Sequence, residues 1–419
     1  MGSRSGNAQG DRSGGLSADE PRRSATRPAT RIVEAGRRKE WTGAVVNPPV
    51  WRGSTHLYAD SADLARGRPN EDGHFYYGRR GAPTQWALAE ALTELEPGAF
   101  GTVLYPSGVA AIAGVLLALL GSGDSVLMSD NVYEPSRVMA KSLLAPLGIE
   151  TRFFDPLDVE GFAGLFDART RVVLLESPGS LTMELCDVPA LAAVARGKGA
   201  VSVLDNTWAT PLGFAGLSHG CDIALMSLTK HVGGHSDLMM GCASAGEELY
   251  RRLRSKSQSL GQVVSPDDAA LALRGLRTVG VRLERETASA LQVAEWLAGR
   301  PEVAHVLCPM LPGAPGHELW RRDFAGGCGL FSFVLAGREP EARARFIDAL
   351  ELFGIGYSWG GFESLVIPCD PARARTSTAW PPAAWNPADR LGIRLSIGLE
   401  DPHDLIRDLE GGFAAMAQR

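Results

Sequence analysis

From about residue 84 the chain alternates helical and strand periodicities, and this alternation constrains the fold more than any other feature. TQWALAEALTELE and GVAAIAGVLLALLGSGD read as helices, SVLMSD as a short strand, and EPSRVMAKSLLAPLG as a helix with a proline near its start. RVVLLES is a strand, VPALAAVARGKG a helix, and VSVLDNT and DIALMSLT are two further strands. The strand runs are apolar on both alternating faces, the pattern of strands covered by helices on both sides. The sequence therefore predicts an α/β fold with a large, doubly wound, mostly parallel sheet.

Beyond residue 230 the character changes. The stretch DDAALALRGLRTVGVRLERETASALQVAEWLA predicts a long helical connection from one domain to the next. GLFSFVL (strand), ARARFIDALELF (helix), SLVIP and IRLSIG (strands) and PHDLIRDLEGGFAAMAQ (helix) then predict a smaller C-terminal α/β domain. PARARTSTAWPPAAWNPADR is proline-rich and reads as a surface loop. The expected organisation is a disordered tail over 1–40, an arm over 41–83, a large domain over 84–280 and a small domain over 281–419.

With 419 residues, 45% of them hydrophobic and 21% charged, the chain is long enough for two domains with a sizeable core. A formal charge of −6 is small for this size, so neither nucleic acid nor an anionic membrane is the expected partner, and a small molecule is. The six cysteines lie far apart without a C-x-x-C pair, which argues against a zinc knuckle or a disulfide framework and fits a reducing cytoplasm. No apolar run reaches the roughly 18 residues of a membrane span, and the Ser-, Gly- and Arg-rich opening has no apolar signal region.

In an open parallel sheet the chemistry lies in loops at the carboxyl ends of strands. Asp205 closes VSVLD, Glu176, Ser177 and Pro178 close VVLLE, and Ser227, Thr229 and Lys230 follow DIALM, so an acid, an amine and hydroxyls converge on one crevice. That set suits pyridoxal phosphate, whose aldehyde needs a lysine, whose pyridine nitrogen needs a carboxylate, and whose phosphate needs hydroxyl and amide donors. In PSGVAA, Ser107, Gly108 and Val109 open a helix whose first amides can face an anion, and Tyr133 in DNVYEP offers a ring to stack on the cofactor. His231 and His235 have a metal-ligand spacing, but Gly233 and Gly234 between them argue for a turn, and no metal is expected. GRRG at 78–81 reads either as a solvated charge cluster or as an anion site with two guanidinium forks.

These residues resemble the Cys/Met-metabolism enzymes that use pyridoxal phosphate on the fold-type I, aspartate aminotransferase-like architecture. The matching segments are FYYGRRGAPT, LYPSGVAA, DNVYEPS, ESPGSLTMEL, LDNTWAT, TKHVGGHSDLMMG, RGLRTVGVRL, GHELWRRDFAGGCGLFSFVL, YSWGGFESL and IRLSIGLED, spread from about residue 42 to residue 415. Within the family the likeness is greatest to the bacterial cystathionine β-lyases. The resemblance implies Lys230 as the Schiff-base lysine, Asp205 as partner of the pyridinium nitrogen and Tyr133 as the stacked ring. It implies Gly108, Val109, Ser227 and Thr229 as the phosphate cradle, with Ser107 where relatives carry Ser or Cys. Tyr77 and Arg79 would reach the phosphate of a neighbouring subunit, which makes a dimer with shared sites, paired into a tetramer, the expected assembly. Arg394 would pair with the substrate α-carboxylate beside Ser358 and Trp359, and Arg80 would meet a distal carboxylate. The implied activity is carbon–sulfur β-elimination on cystathionine or a related cysteine thioether, giving homocysteine or another thiol, pyruvate and ammonia. ESPGS lacks the Asn that γ-acting relatives usually carry after ESP, which favours the β branch over γ-synthase or γ-lyase chemistry. The Arg- and Ala-rich composition keeps a specialised C–S lyase open as an alternative. A nucleotide-binding dehydrogenase is disfavoured because no G-x-G-x-x-G follows an early strand.

Overall fold

A computed structural model describes residues 26–418. Two sheets organise them. Strands β1 (Gly101–Tyr105), β2 (Ser125–Ser129), β3 (Glu150–Phe154), β4 (Thr170–Glu176), β5 (Val201–Asp205), β6 (Ile223–Ser227) and β7 (Gly241–Ala245) form a seven-stranded sheet in the order β1-β7-β6-β5-β4-β2-β3. Only β7 runs against its neighbours. The second sheet has five strands, β8 (Val303–Leu307), β9 (Leu330–Leu335), β10 (Gly354–Ile355), β11 (Leu365–Cys369) and β12 (Gly392–Ser396), in the order β10-β11-β12-β9-β8, antiparallel except for β10 with β11.

The apolar strand runs are explained by which layer each residue enters. Val172, Leu174, Val203 and Leu225 point into one buried cluster, with the helix Gly108–Leu119. Val173, Leu175, Leu204 and Met226 point to the opposite face, into a cluster that continues through the helices to Phe331, Phe333 and Phe413 of the C-terminal unit. Alternation is present, but both faces are dry, so it is not visible as polarity.

Several elements differ from the sequence expectation. EPSRVMAKSLLAPLG is not one α-helix: an α segment Glu134–Met139 passes into a π turn at Ala140–Leu144 and a 3₁₀ turn at Ala145–Leu147, ending on Gly148 at φ +75°. Pro146 has no N–H to return to the preceding turn, so the regular ladder cannot close there. The long connection divides into Pro266–Leu276 and Val279–Ala298. Gly275 lies against the loop that carries Lys230, where a Cβ would sit 2.1 Å from the Val232 carbonyl oxygen. β7 reads GCASA, small residues of low strand propensity that pair because both neighbours are in place, and β1, β3 and β8 are likewise additions to the sequence reading. The expected disordered tail is ordered in part, since Pro28–Glu34 is helical with Ile32 buried; residues 1–25 lie outside the described residues. Among the described residues no helix is long and apolar enough to cross a membrane, and no group of three or more His, Cys, Asp or Glu could hold a metal ion.

Candidate active site

The carboxyl ends of β2, β4, β5 and β6 deliver Asp130, Glu176, Asp205 and Ser227 to one rim of the large sheet. Lys230 follows in the turn after β6, where its Nζ donates to Ser358 Oγ at 2.6 Å and lies 5.3 Å from the centre of the Trp359 ring. Ser358 holds a backbone φ of +87°, a region a non-glycine residue occupies at a cost of roughly 1–3 kcal/mol. Its carbonyl accepts from Arg394 Nη2 at 3.1 Å. One strained residue of the C-terminal unit thus touches both the amine from the large sheet and the guanidinium from β12.

Three charges meet here, and burial sets their balance. Burial, with Arg394 nearby, lowers the Lys230 amine to about 8, against the opposing pull of Asp205. Burial likewise lowers the buried Arg394 guanidinium from its usual value. Asp205 is pushed up by burial, while Thr207, through its amide at 3.0 Å and its hydroxyl, and then Lys230 favour the ionised form. Glu176 stands beside Asp205 in register on β4, and burial followed by that neighbouring carboxylate raises it well above the ordinary range. Its Oε2 accepts the Tyr133 amide at 2.6 Å, fixing the backbone from which the Tyr133 ring projects, 42% exposed. Burial raises the Tyr133 hydroxyl, with Glu176 adding to the effect and Arg394 opposing it.

The loop before the helix Gly108–Leu119 closes on the same rim. Ser107 Oγ caps that helix by accepting the Ala110 amide at 3.0 Å. A Cβ on Gly108 would lie 2.7 Å from Ser227 Cβ, and one on Gly241 would lie 2.4 Å from the Ser107 carbonyl oxygen. Only glycine allows this approach of helix terminus, β6 end and β7, and the result is a cradle of amides and hydroxyls suited to a phosphate. Val109 is 37% exposed at the helix start. Thr229 spans the cradle's edge, its Oγ1 accepting the Met240 amide at 3.0 Å. The donor set, an amine of lowered pKa and a half-buried carboxylate together fit pyridoxal phosphate.

Tyr77, Arg79 and Arg80 are not brought to this cluster by their own chain's contacts. They lie on and beside the 3₁₀ turn Gly78–Arg80, where Arg79 Nη1 donates to the Gln258 carbonyl at 2.9 Å and Arg80 stacks on Tyr76 at 3.7 Å. Tyr77 is exposed. For two other members, His231 and Glu176, the sequence named the residue but not its contacts. His231 is buried with its ring edge to Trp359 at 5.3 Å and Nδ1 3.5 Å from Glu286 Oε2, a partner 55 residues away that no local pattern could announce. Glu176 was legible as a strand end, but its bond to the Tyr133 amide depends on the neighbouring strand.

A family model described as Cys/Met metabolism PLP-dependent enzyme matches residues 29–414. The chain is 43% identical over 390-odd positions to the cystathionine beta-lyase MetC of Escherichia coli K12, an alignment of 395 residues covering 92% of this chain and 98% of that one. It is 36% identical to the L-alanine/L-glutamate racemase of Wolbachia pipientis wMel, covering 92% and 96% of the two chains. Among solved structures, that of metB from Corynebacterium glutamicum superposes with a TM-score of 0.84 at 30% identity, covering 94% of this chain and 99% of that chain. The helix-covered mixed sheet, the glycine-lined cradle and the depressed Lys230 are therefore read in their family context: the chain belongs to the Cys/Met metabolism PLP-dependent enzymes.

Proposed function

We propose that this chain is a carbon–sulfur lyase that carries out β-elimination on cystathionine or a related cysteine thioether, releasing a thiol, pyruvate and ammonia. The observation that carries the reading is the convergence of Lys230 and Arg394 on Ser358, one through its hydroxyl and one through its carbonyl. An amine beside a guanidinium supports this reading, in which one accepts a proton and the other receives a carboxylate, the pair needed to hold an α-amino acid and work at its Cα. The printed activity of the Escherichia coli relative supports the β-lyase assignment.

In this reading Arg394 grips the substrate α-carboxylate through a two-pronged pairing. Lys230, whose amine loses its proton near 8, removes the α-proton at Nζ. Bound pyridoxal phosphate supplies the electron sink for the pair left at Cα. Asp205 would hold a proton at the cofactor's ring nitrogen, and Tyr133 would hold the cofactor from the wall formed by its own loop. As the Cβ–S bond breaks, its electron pair leaves with sulfur, and a proton from Lys230 or Tyr133 completes the thiol. Water then releases the remaining three-carbon fragment as pyruvate and ammonia.

Ser107, Gly108, Val109, Ser227 and Thr229 are assigned to the phosphate, Ser358 and Trp359 to the substrate, and Arg80 to its distal carboxylate. Tyr77 and Arg79 are assigned to the phosphate of a second copy, in a dimer that pairs into a tetramer in the cytoplasm. The exposure of Trp51, Leu57, Phe75, Tyr76 and Tyr77 along the arm supports a covering partner. The test is a panel of cystathionine, cystine and cysteine conjugates scored for products. Pyruvate with a stoichiometric thiol is expected; 2-oxobutyrate would assign γ-chemistry, and racemised amino acid without C–S cleavage would assign the racemase branch.

A further inference from the structure

The proline-rich link between β11 and β12 is not simply a surface loop. Its residues Thr376, Ser377 and Thr378 are bound to Asp130, the first residue beyond β2, which is 2% exposed. Asp130 Oδ2 accepts the Ser377 amide at 2.9 Å and the Thr378 amide and hydroxyl at 2.8 Å each. Oδ1 accepts the Thr376 amide and hydroxyl at 3.1 Å each and Arg137 Nη1 at 2.9 Å. Arg137 Nη2 closes the circuit by donating to Thr376 Oγ1 at 2.8 Å. One residue earlier, Arg375 reaches the loop after β4, donating to Thr182 Oγ1 at 2.7 Å and Glu184 Oε2 at 2.5 Å.

These bonds tie together two parts of the site that share no sheet. Tyr133 is three residues past Asp130, and the link's other end runs into β12, which carries Arg394. A buried carboxylate is costly unless its lone pairs are filled, and here they are filled by three consecutive residues of a segment about 246 positions away. The donors overcome the burial that would raise it and leave Asp130 below its ordinary pKa. We infer that Asp130 and Thr376–Ser377–Thr378 form a clamp that fixes the Tyr133 segment relative to Arg394, making Asp130 a positioning residue that acts through both. The inference rests on the proposed roles of Tyr133 and Arg394. A clamp serving stability alone would change the melting temperature and leave amino-acid binding as it is.

The experiment uses cofactor-loaded Asp130→Asn and, as a milder variant that keeps the amide donors, Thr376→Val/Thr378→Val. Affinity for L-alanine, an amino acid with no leaving group, is read from the visible absorbance of the bound cofactor, and trypsin probes the link at Arg373, Arg375 and Arg390. In both variants the cofactor stays bound, L-alanine binds about tenfold more weakly, and the link is cut faster than in wild type. Binding within about twofold of wild type in both overturns the inference, whatever happens to stability or proteolysis. Should Asp130→Asn fail to fold, the threonine pair decides alone. Because L-alanine binding does not depend on which thioether is cleaved, a wild-type enzyme that releases no pyruvate would defeat the proposed activity and leave the clamp's result readable.

Discussion

The proposed reactivity of Lys230 rests on where the fold puts it. An ordinary lysine loses its proton near 10.5, and burial brings this one to about 8. The apo-protein should therefore take up pyridoxal phosphate with a rate that rises through pH 8; a rise centred near 10.5, followed by stopped-flow absorbance, would mean the amine is not desolvated as described. The same depression has a thermodynamic sign. Between pH 8 and 10.5 the unfolded chain holds more protons than the folded one, so apo-protein stability should climb with pH across that window as far as this residue is concerned. Borohydride reduction of the loaded enzyme followed by peptide mapping should place the cofactor on Lys230 and not on Lys39, Lys141, Lys198 or Lys256. Asp205, Ser227, Ser107 and Gly108 were legible because each closes a strand or opens a helix, whereas Arg394, in the middle of β12, came only from the family resemblance. The Ser358 backbone at φ +87° was not legible, since nothing in YSWGG separates it from an ordinary turn.

At the scale of elements, glycine spacing decides whether the cradle forms. Gly241→Ala would drive a Cβ into the Ser107 carbonyl, so we expect cofactor affinity to fall by about tenfold or more in equilibrium titration. Gly246→Ala, where no atom lies within 4 Å of the added carbon, is the control and should bind as wild type. The buried parallel strands β2, β4, β5 and β6 were readable from their unbroken apolar runs. GCASA was not, because its strand state comes from β1 and β6 on either side. The split of the long helical stretch was equally hidden: Gly275 is there for the carbonyls of Val232 and Gly233, and sequence periodicity runs straight across it. The link 371–390 was read correctly as irregular but incompletely as surface, since the hydroxyls and amides that bind Asp130 look the same in a solvated loop.

At the scale of the molecule, the proposed site is composite in two ways: Lys230 follows a strand of the large sheet and Arg394 lies in the small one, while Tyr77 and Arg79 are assigned to a second copy. Periodicity disclosed the α/β class and the two units. How the proposed copies would join is a matter of surfaces meeting, which periodicity cannot encode. Subunit complementation tests this directly. Lys230→Ala coexpressed with Tyr77→Ala/Arg79→Ala, isolated as the mixed dimer, rebuilds one intact site in two and should recover about half of wild-type lyase activity. Lys230→Ala paired with Arg394→Ala rebuilds none and should stay inactive. Recovery in the second pair, or none in the first, would contradict the arrangement.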